Sequence, residues 1–385
     1  MSVKSSSKTL PFVLLTTMFS CISLMGFPQA EQAEREMKDM MKEMKAVGIS
    51  VAVVKGEDIV YTHSFGLKNI EQNTALSDKD IFRIASISKS FSATSIMQLR
   101  DAGKLSVEDD FSKLVGFTVR NPKYPDKVIT LKMVLSHRSS INDSQGYFNL
   151  DVINPDRNPD YAKCYSNNEP GSTWQYCNLN YNMVGAVIER ISGERFDGYV
   201  KHHILDPLGL YGGYHVDSLD AKRFVTLYEY DSVSTKFTAA PLAYAPRTAE
   251  IRNYVMGAST PVFSPTGGMK ISATDLAKYM TMHMQHGTYK GVKIISKKSS
   301  KLMQKKISEE EGYAMAIMNF DDLIPGKVMV GHNGSAYGLY SAMFFEPKEK
   351  FGIVVITNGA DPLLVRDFRE VLRKAVNILY KNLIQ

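Results

Sequence analysis

Ser86 and Lys89 are spaced so that they could act together as a nucleophile and its base. They lie in residues 82–99, FRIASISKSFSATSIMQL, whose apolar and small residues predict a long buried helix with Ser86 near its N-terminal end. Residues three apart share one face of a helix, so the Lys89 amine can reach the Ser86 hydroxyl and take its proton. The Ser-x-x-Lys pattern is short, and Ser5 and Lys8 also match it, so other motifs must support the assignment.

Tyr176 and Asn178 form a second candidate pair. A tyrosine near a lysine can serve as general base to a serine and then as acid to the leaving group. The asparagine could hold the lysine or orient the acyl side chain of the substrate. Tyr165 and Asn167 show the same spacing, but only Tyr176 follows Pro-Gly-Ser and leads into the helical pattern NMVGAVIERISG.

A third motif, His332-Asn333-Gly334, is the only His-x-Gly in the chain. It follows an apolar strand pattern at residues 328–331, and an ordinary turn at the end of that strand is the alternative interpretation. His137 ends a short apolar helix that Thr130 can cap, and a lone histidine in that position is interpreted as structural.

The composition is that of a globular protein. The chain has 385 residues, of which 44% are hydrophobic and 22% charged, enough for one large domain or two interleaved domains. A net charge of +6 is too small and too dispersed to indicate a nucleic-acid partner.

The first 30 residues resemble a secretory signal. Lys4 and Lys8 precede an uncharged, largely apolar stretch, and Ala30 is the expected cleavage point. We therefore expect an exported protein, periplasmic or secreted. An uncleaved membrane anchor and lipid attachment at Cys21 remain alternatives. Outside this segment only Cys164 and Cys177 occur, and in an exported protein they could form a disulfide or stay free.

The order of elements predicts an α/β domain divided by a helical insertion. An amphipathic helix is expected at residues 31–46, with a methionine stripe formed by Met37, Met40, Met41 and Met44. Strands are predicted at residues 49–54, 59–65, 327–330, 339–345 and 352–357. A final helix is expected at residues 367–379, with helical runs and loops between. The predicted domains are residues 31–100 with 262–385, and an all-helical domain at 101–261.

With these motifs in this order, the sequence resembles the serine β-lactamase and penicillin-binding protein superfamily, in the branch of class C β-lactamases, DD-peptidases and family VIII esterases. The likeness runs over residues 48–358 and includes FRIASISKSFSA, ITLKMVLSH, PGSTWQYCNLNYNMVGAVIERISG, SPTGGMKISATDLAKYM and GHNGSAYGLYSAMFFEP. Ser140 stands where a glycine is usual after the His137 turn.

This resemblance implies a β-lactamase/transpeptidase-like fold, with an antiparallel sheet flanked by terminal helices and the active site in a cleft between the two domains. It implies that Ser86 is acylated, that Lys89 and Tyr176 share its activation, and that Asn178 positions the substrate. The third motif, with His332 and Gly334, would bind substrate as well. The N–H groups of Ser86 and Ser335 would form the oxyanion hole. No metal or organic cofactor is required.

The residue at the head of the third motif bears on the substrate. Most β-lactamases of this branch have Lys-Thr-Gly there, and the lysine helps to receive the substrate carboxylate. His332 therefore favours an esterase or D-amino-acid peptidase-like hydrolase, acting on a small acyl substrate, over a β-lactamase. Transfer of the acyl group to an alcohol or amine is a further alternative. A catalytically silent sensor domain would be expected to lose a motif residue, and none is lost.

Overall fold

The computed structural model describes residues 27–307 and 312–385. Except for residues 27–30, the predicted signal segment lies outside this description, so the signal remains a prediction. The α-helices of the described chain are α1 (Phe27–Glu43), α2 (Ser88–Asp101), α3 (Phe111–Val115), α4 (Leu131–Leu135), α5 (Asn178–Ser192), α6 (Phe196–Val200), α7 (Thr248–Arg252), α8 (Ala273–Met284), α9 (Lys297–Gln304) and α10 (Glu370–Leu383). Among them, none combines the length and apolar character that crossing a membrane requires.

The strands are short outside one large sheet. They are β1 (Gly48–Lys55), β2 (Asp58–Asn69), β3 (Thr74–Ala75), β4 (Phe82–Arg83), β5 (Gly212–Gly213), β6 (Tyr228–Asp231), β7 (Lys236–Ala239), β8 (Lys270–Ile271), β9 (Thr288–Tyr289), β10 (Val292–Lys293), β11 (Met318–Phe320), β12 (Met329–Ala336), β13 (Leu339–Glu346), β14 (Phe351–Thr357), β15 (Leu364–Val365) and β16 (Phe368–Arg369).

The large sheet joins the two ends of the chain. Its strand order is β11-β12-β13-β14-β1-β2-β3, and every neighbouring pair is antiparallel. Since β1 lies between β2 and β14, the N-terminal hairpin and the C-terminal strands form one continuous surface. The predicted antiparallel sheet is therefore confirmed.

Both faces of this sheet are covered. Side chains alternate along a strand, so Val51 and Val53 of β1 face one cluster while Ala52 and Val54 face the other. The first cluster holds α1 and α10 against the sheet, and all four methionines of the predicted stripe are buried in it. The second cluster contains the buried faces of α2 and α8. The terminal helices therefore flank the sheet as expected.

Three details differ from the sequence-based expectation. The inserted region is not all-helical: its helices and helical turns account for well under half of residues 101–261, and it contains the β6–β7 hairpin, which pairs Tyr228 with Ala239. The final helix begins at Glu370 because the residues just before it form the β15–β16 hairpin. Strand β12 continues through the third motif to Ala336, so the turn interpretation of that motif is wrong.

Candidate active site

Ser86 lies in a single 3₁₀ turn, Ala85–Ile87, immediately before α2. Ala85 has a φ of +51°, a left-handed conformation that is unfavourable for a residue with a side chain. The turn is held from two sides, because the Ile84 N–H donates to the Met269 carbonyl at 2.9 Å and the Ser341 hydroxyl donates to the Ile84 carbonyl at 3.0 Å. The nucleophile candidate therefore sits on a fixed segment at the start of a buried helix.

Lys89 is fully buried, one turn further along, and its amine has three partners. Nζ lies 3.2 Å from Ser86 Oγ and donates to Asn178 Oδ1 and to the Thr266 carbonyl, both at 2.9 Å. Burial lowers the pKa of Lys89 to about 7, against a smaller opposing effect of the Asp143 carboxylate. A large fraction of the amine is thus neutral near pH 7.

The neutral amine has a defined orientation. It carries two N–H bonds, and both of its oxygen partners other than Ser86 are acceptors that can use them. The remaining lone pair of Lys89 then points towards the Ser86 hydroxyl, which is the arrangement that removes a proton from the serine.

Tyr176 lies in the loop just before α5 and approaches Ser86 from there. Its hydroxyl donates to Ser86 Oγ at 2.8 Å. Burial raises the pKa of Tyr176, so its phenol is neutral in the resting site. The backbone here is held by buried His137, whose carbonyl accepts from the Gln175 N–H at 2.7 Å and whose Nδ1 accepts from the Cys177 N–H at 3.1 Å. These contacts give His137 the structural role predicted for it.

Asp143 organises the start of α5, and the sequence motifs do not include it. Its carboxylate accepts from the Asn178 N–H at 2.8 Å, from Asn178 Nδ2 at 2.9 Å and from the Leu179 N–H at 2.9 Å. A carboxylate at a helix N-terminus satisfies free N–H groups and complements the helix dipole. Because the carboxylate can only accept, it fixes the Asn178 amide with Oδ1 towards Lys89 and Thr266 Oγ1. Asn178 therefore holds the lysine, one of the two roles considered for it.

His332 is buried on β12 and is tied to Tyr313. Its Nδ1 lies 2.5 Å from the Asn333 carbonyl, which can only accept, so Nδ1 carries the proton and Nε2 accepts from the Tyr313 hydroxyl at 3.2 Å. Burial, and secondly the nearby Lys89 ammonium, lower the pKa of His332 to about 3. The histidine is therefore neutral throughout the physiological range.

Gly334 allows β12 to lie against the Ser86 turn. A Cβ at this position would be 2.5 Å from the Ile84 carbonyl oxygen and 2.6 Å from Ser341 Oγ, closer than real Cβ contacts. The next residue, Ser335, is exposed. Any larger residue at position 334 would thus clash with Ile84 and Ser341.

Two further sequence expectations can be compared with the structure. Cys164 and Cys177 are both free and buried, so the suggested disulfide is absent, and the Cys177 thiol instead donates to Asp143 Oδ1 at 3.2 Å. Ser140 has a φ of +62°, which explains why glycine is usual there. Its hydroxyl accepts from Asn121 Nδ2 at 3.0 Å, a contact that glycine cannot make.

A cavity of about 420 Å³ opens beside Ser86. Tyr176 and His332 line its inner end, and β11 and the β15–β16 hairpin form its outer walls. The structure therefore brings residues of all three motifs to one cavity, which Tyr313 also lines. Asp143 and Thr266 support the site through their contacts with Asn178 and Lys89.

Comparison with known proteins gives a consistent result. The Beta-lactamase family model matches residues 33–377. Penicillin-binding protein 4 of Amycolatopsis lactamdurans is 25% identical over 375 residues, covering 92% of each chain. The structure of EstCE1, "a hydrolase with promiscuous acyltransferase activity", superposes with a TM-score of 0.72 at 20% identity and covers 90% of this chain and 98% of that one. D-amino acid amidase of Ochrobactrum anthropi SV3 gives a TM-score of 0.71 at 18% identity, with coverages of 92% and 98%.

Proposed function

Because the chain belongs to the beta-lactamase family, we propose that it is a serine hydrolase that cleaves small esters or amides through an acyl-enzyme at Ser86. One observation carries this proposal. The Ser86 hydroxyl oxygen is contacted both by the buried amine of Lys89 and by the hydroxyl of Tyr176. A serine with a base and an acid on its two sides has the groups that nucleophilic catalysis requires.

Acylation begins when neutral Lys89 takes the Ser86 proton and Oγ attacks the carbonyl carbon. The developing oxyanion is received by the backbone N–H groups of Ser86 and Ser335, and the loss of one such donor typically raises the barrier by about 3–4 kcal/mol. When the tetrahedral intermediate collapses, Tyr176 gives its proton to the leaving oxygen or nitrogen and recovers one from the Lys89 ammonium. Water then attacks the acyl-enzyme by the reverse sequence, and the acid is released.

Lysine is the resting base in this mechanism, and tyrosine is the proton relay. Burial lowers the pKa of Lys89 to about 7 but raises the pKa of Tyr176, so the amine is the group that can accept a proton near neutral pH. A resting tyrosinate is therefore unnecessary.

Neutral His332 supports esters and uncharged amides over β-lactams as substrates. A β-lactam carries a carboxylate near the scissile bond, and a histidine with a pKa of about 3 offers it no positive charge. A β-lactamase is the alternative. A β-lactamase would hydrolyse nitrocefin faster than short acyl esters. We expect the opposite, with kcat/KM for the esters about tenfold above that for nitrocefin. This ratio corresponds to one charge-assisted contact of about 1.4 kcal/mol.

Acyl transfer is a second candidate, since the solved structure of EstCE1 is described as that of a hydrolase with promiscuous acyltransferase activity. An alcohol acceptor would occupy the place of the attacking water. Partition of a p-nitrophenyl ester between acid and a new ester, in the presence of added alcohol, distinguishes the two outcomes.

The decisive test is covalent labelling. A fluorophosphonate should add once to the purified protein, and peptide mapping should place the adduct on Ser86. Lys89→Met should slow the labelling while leaving the fold intact. Labelling of Ser86→Ala at the wild-type rate would refute the proposed nucleophile.

We also propose that the enzyme works outside the cytoplasm on a small acyl substrate and without a nucleic-acid partner. The N-terminal residues support export, with an uncleaved signal or lipid anchor as the only membrane attachment proposed. Fractionation of producing cells, with N-terminal sequencing of the mature protein, tests the location and the cleavage point.

A further inference from the structure

We infer that the cavity beside Ser86 is a leaving-group subsite for an apolar alcohol or amine portion of the substrate. This inference rests on the proposed function and specifies which half of the substrate the cavity receives.

The cavity lies on the leaving-group side of the scissile bond. Its inner end is formed by Ser86 and by Tyr176, the residue that hands a proton to the leaving atom in the proposed mechanism. Asn178, the residue that holds Lys89, does not line the cavity, so the cavity lies on the Tyr176 side of Ser86. A leaving group protonated by Tyr176 therefore departs into this cavity. Its volume of about 420 Å³ falls in the range of about 300–1,000 Å³ that small-molecule sites occupy.

The walls are mainly apolar. Met318 and Phe320 project from alternate positions of β11, which places them on one face of the strand, and both line the cavity. Phe368 of β16 also lines the cavity and stacks on Phe320 with ring centroids 5.3 Å apart. Trp174 completes the wall near Tyr176. These side chains favour an aliphatic or aromatic leaving group.

Apolar side chains continue from the cavity to the surface. Leu363, Leu364 and Val365 are consecutive and are 49%, 52% and 37% exposed, and Leu364 lines the cavity itself. The hairpin that carries them is anchored, because Arg373 donates to the Val365 carbonyl at 3.2 Å and Arg366 pairs with Asp322 at 2.7 Å. An apolar rim at the mouth of a catalytic cavity is covered when an apolar chain leaves the cavity along it.

The charges of the cavity do not favour an ionic leaving group. Its one cation among the described lining residues, Arg369, donates to the Pro362 carbonyl and lies 4.5 Å from the centre of the Tyr340 ring. Asp367 is exposed at the mouth. The described lining therefore offers a carboxylate leaving group a single arginine, which is already held by two other groups.

The test compares acetate esters that differ only in the alcohol. For ethyl, butyl and hexyl acetate we expect kcat/KM to rise about three- to fourfold per methylene, the ratio for burying one CH₂ group. The acetate esters of glycolate and choline, which carry a negative and a positive leaving group, should be poorer than butyl acetate. A flat alkyl series, or a preference for either charged ester, would overturn the inference.

A matched pair of double variants locates the effect. Leu364→Ser with Val365→Ser should reduce the hexyl-to-ethyl ratio of kcat/KM at least fivefold. Leu242→Ser with Val233→Ser, which alters two residues that are 68% and 95% exposed elsewhere, should leave the ratio unchanged. Equal effects of the two pairs would refute the subsite. The proposed function fails separately, if Ser86→Ala hydrolyses these esters at the wild-type rate.

Discussion

The negative charge of Asp143 should set the pH at which the enzyme becomes active. The carboxylate contacts Asn178 Nδ2 at 2.9 Å, and Asn178 Oδ1 contacts Lys89 Nζ at 2.9 Å. Two such hydrogen bonds across one amide place the carboxylate roughly 6–7 Å from the lysine ammonium. At an effective dielectric constant of about 20 their attraction is about 2.5 kcal/mol, equivalent to about 2 pH units.

The expected effect of Asp143→Asn follows from the sign of this attraction. The carboxylate favours the charged amine, so its removal lowers the pKa of Lys89 below its value of about 7. Lys89 acts as a base only when neutral, and kcat/KM of the wild type should therefore rise with pH through about 7. In Asp143→Asn this acid limb should move down by about 1–2 units. The plateau should fall about tenfold, because the Asn178 amide loses a partner that fixes its orientation.

The assignment of the acid limb to Lys89 is supported by the other titratable groups around it. Burial lowers the pKa of His137 well below its usual value and that of His332 to about 3, so both are neutral near pH 7. Burial raises the pKa of Tyr176 and of the Cys177 thiol, so both keep their protons. Lysine is then the group of this cluster that changes charge near pH 7.

The assay is the hydrolysis of a neutral p-nitrophenyl ester from pH 5 to 9, corrected for spontaneous hydrolysis. Asp151→Asn, an exposed acid of the same inserted region, is the control and should keep the wild-type profile. An Asp143→Asn enzyme with a lower plateau but an unmoved acid limb would show that the carboxylate acts only through structure, and the electrostatic reasoning would be refuted.

Three further substitutions probe the same site. Tyr176→Phe should slow turnover by about 10²–10⁴-fold, whereas Tyr165→Phe, which removes a buried hydroxyl that does not line the cavity, should change it by less than twofold in the same ester assay. Gly334→Ala should lower kcat/KM at least tenfold and destabilise the fold by about 1–3 kcal/mol in urea unfolding, because a Cβ there would meet the Ile84 carbonyl at 2.5 Å. In Gly198→Ala the added Cβ would meet nothing closer than 3.9 Å, so kcat/KM should not fall and the fold should not be destabilised. Losses equal to those of Gly334→Ala would contradict the steric argument. His332→Lys should narrow the gap between ester and nitrocefin hydrolysis by about 1–2 kcal/mol, and an unchanged ratio of the two kcat/KM values would exclude a charge-based preference.

The parts of the molecule that could be predicted from sequence are those specified by short-range patterns. The Lys89 spacing places its amine beside Ser86 because both lie within one turn, and flanking residues distinguish Tyr176 from Tyr165. The terminal helices and the central strands follow from apolar periodicity, since the predicted methionine stripe of α1 and the apolar residues of β1, β13 and β14 are buried.

The parts that could not be predicted depend on contacts between distant segments. Strand β12 passes through the third motif because β13 pairs with it as far as Ala336, and neither His332 nor Gly334 has a sequence preference that reveals this. The disulfide suggestion rested on an even number of cysteines, yet Cys164 donates to the Val152 carbonyl and Cys177 donates to Asp143. The number of cysteines in a sequence cannot distinguish a disulfide from two free thiols.

The loop from His137 to Asp143 shows why the site has more members than its motifs. His137 holds the backbone on either side of Tyr176, and Asp143 holds the first residues of α5. One loop therefore positions both the proposed proton relay and, through Asn178, the proposed base. The Ser86 hydroxyl bonds to Lys89 and Tyr176 and not to the described residues of this loop, so no chemical motif identifies them. Their importance follows from the hydrogen bonds that a buried amine and a helix N-terminus require, and these bonds become visible only when the partners are known.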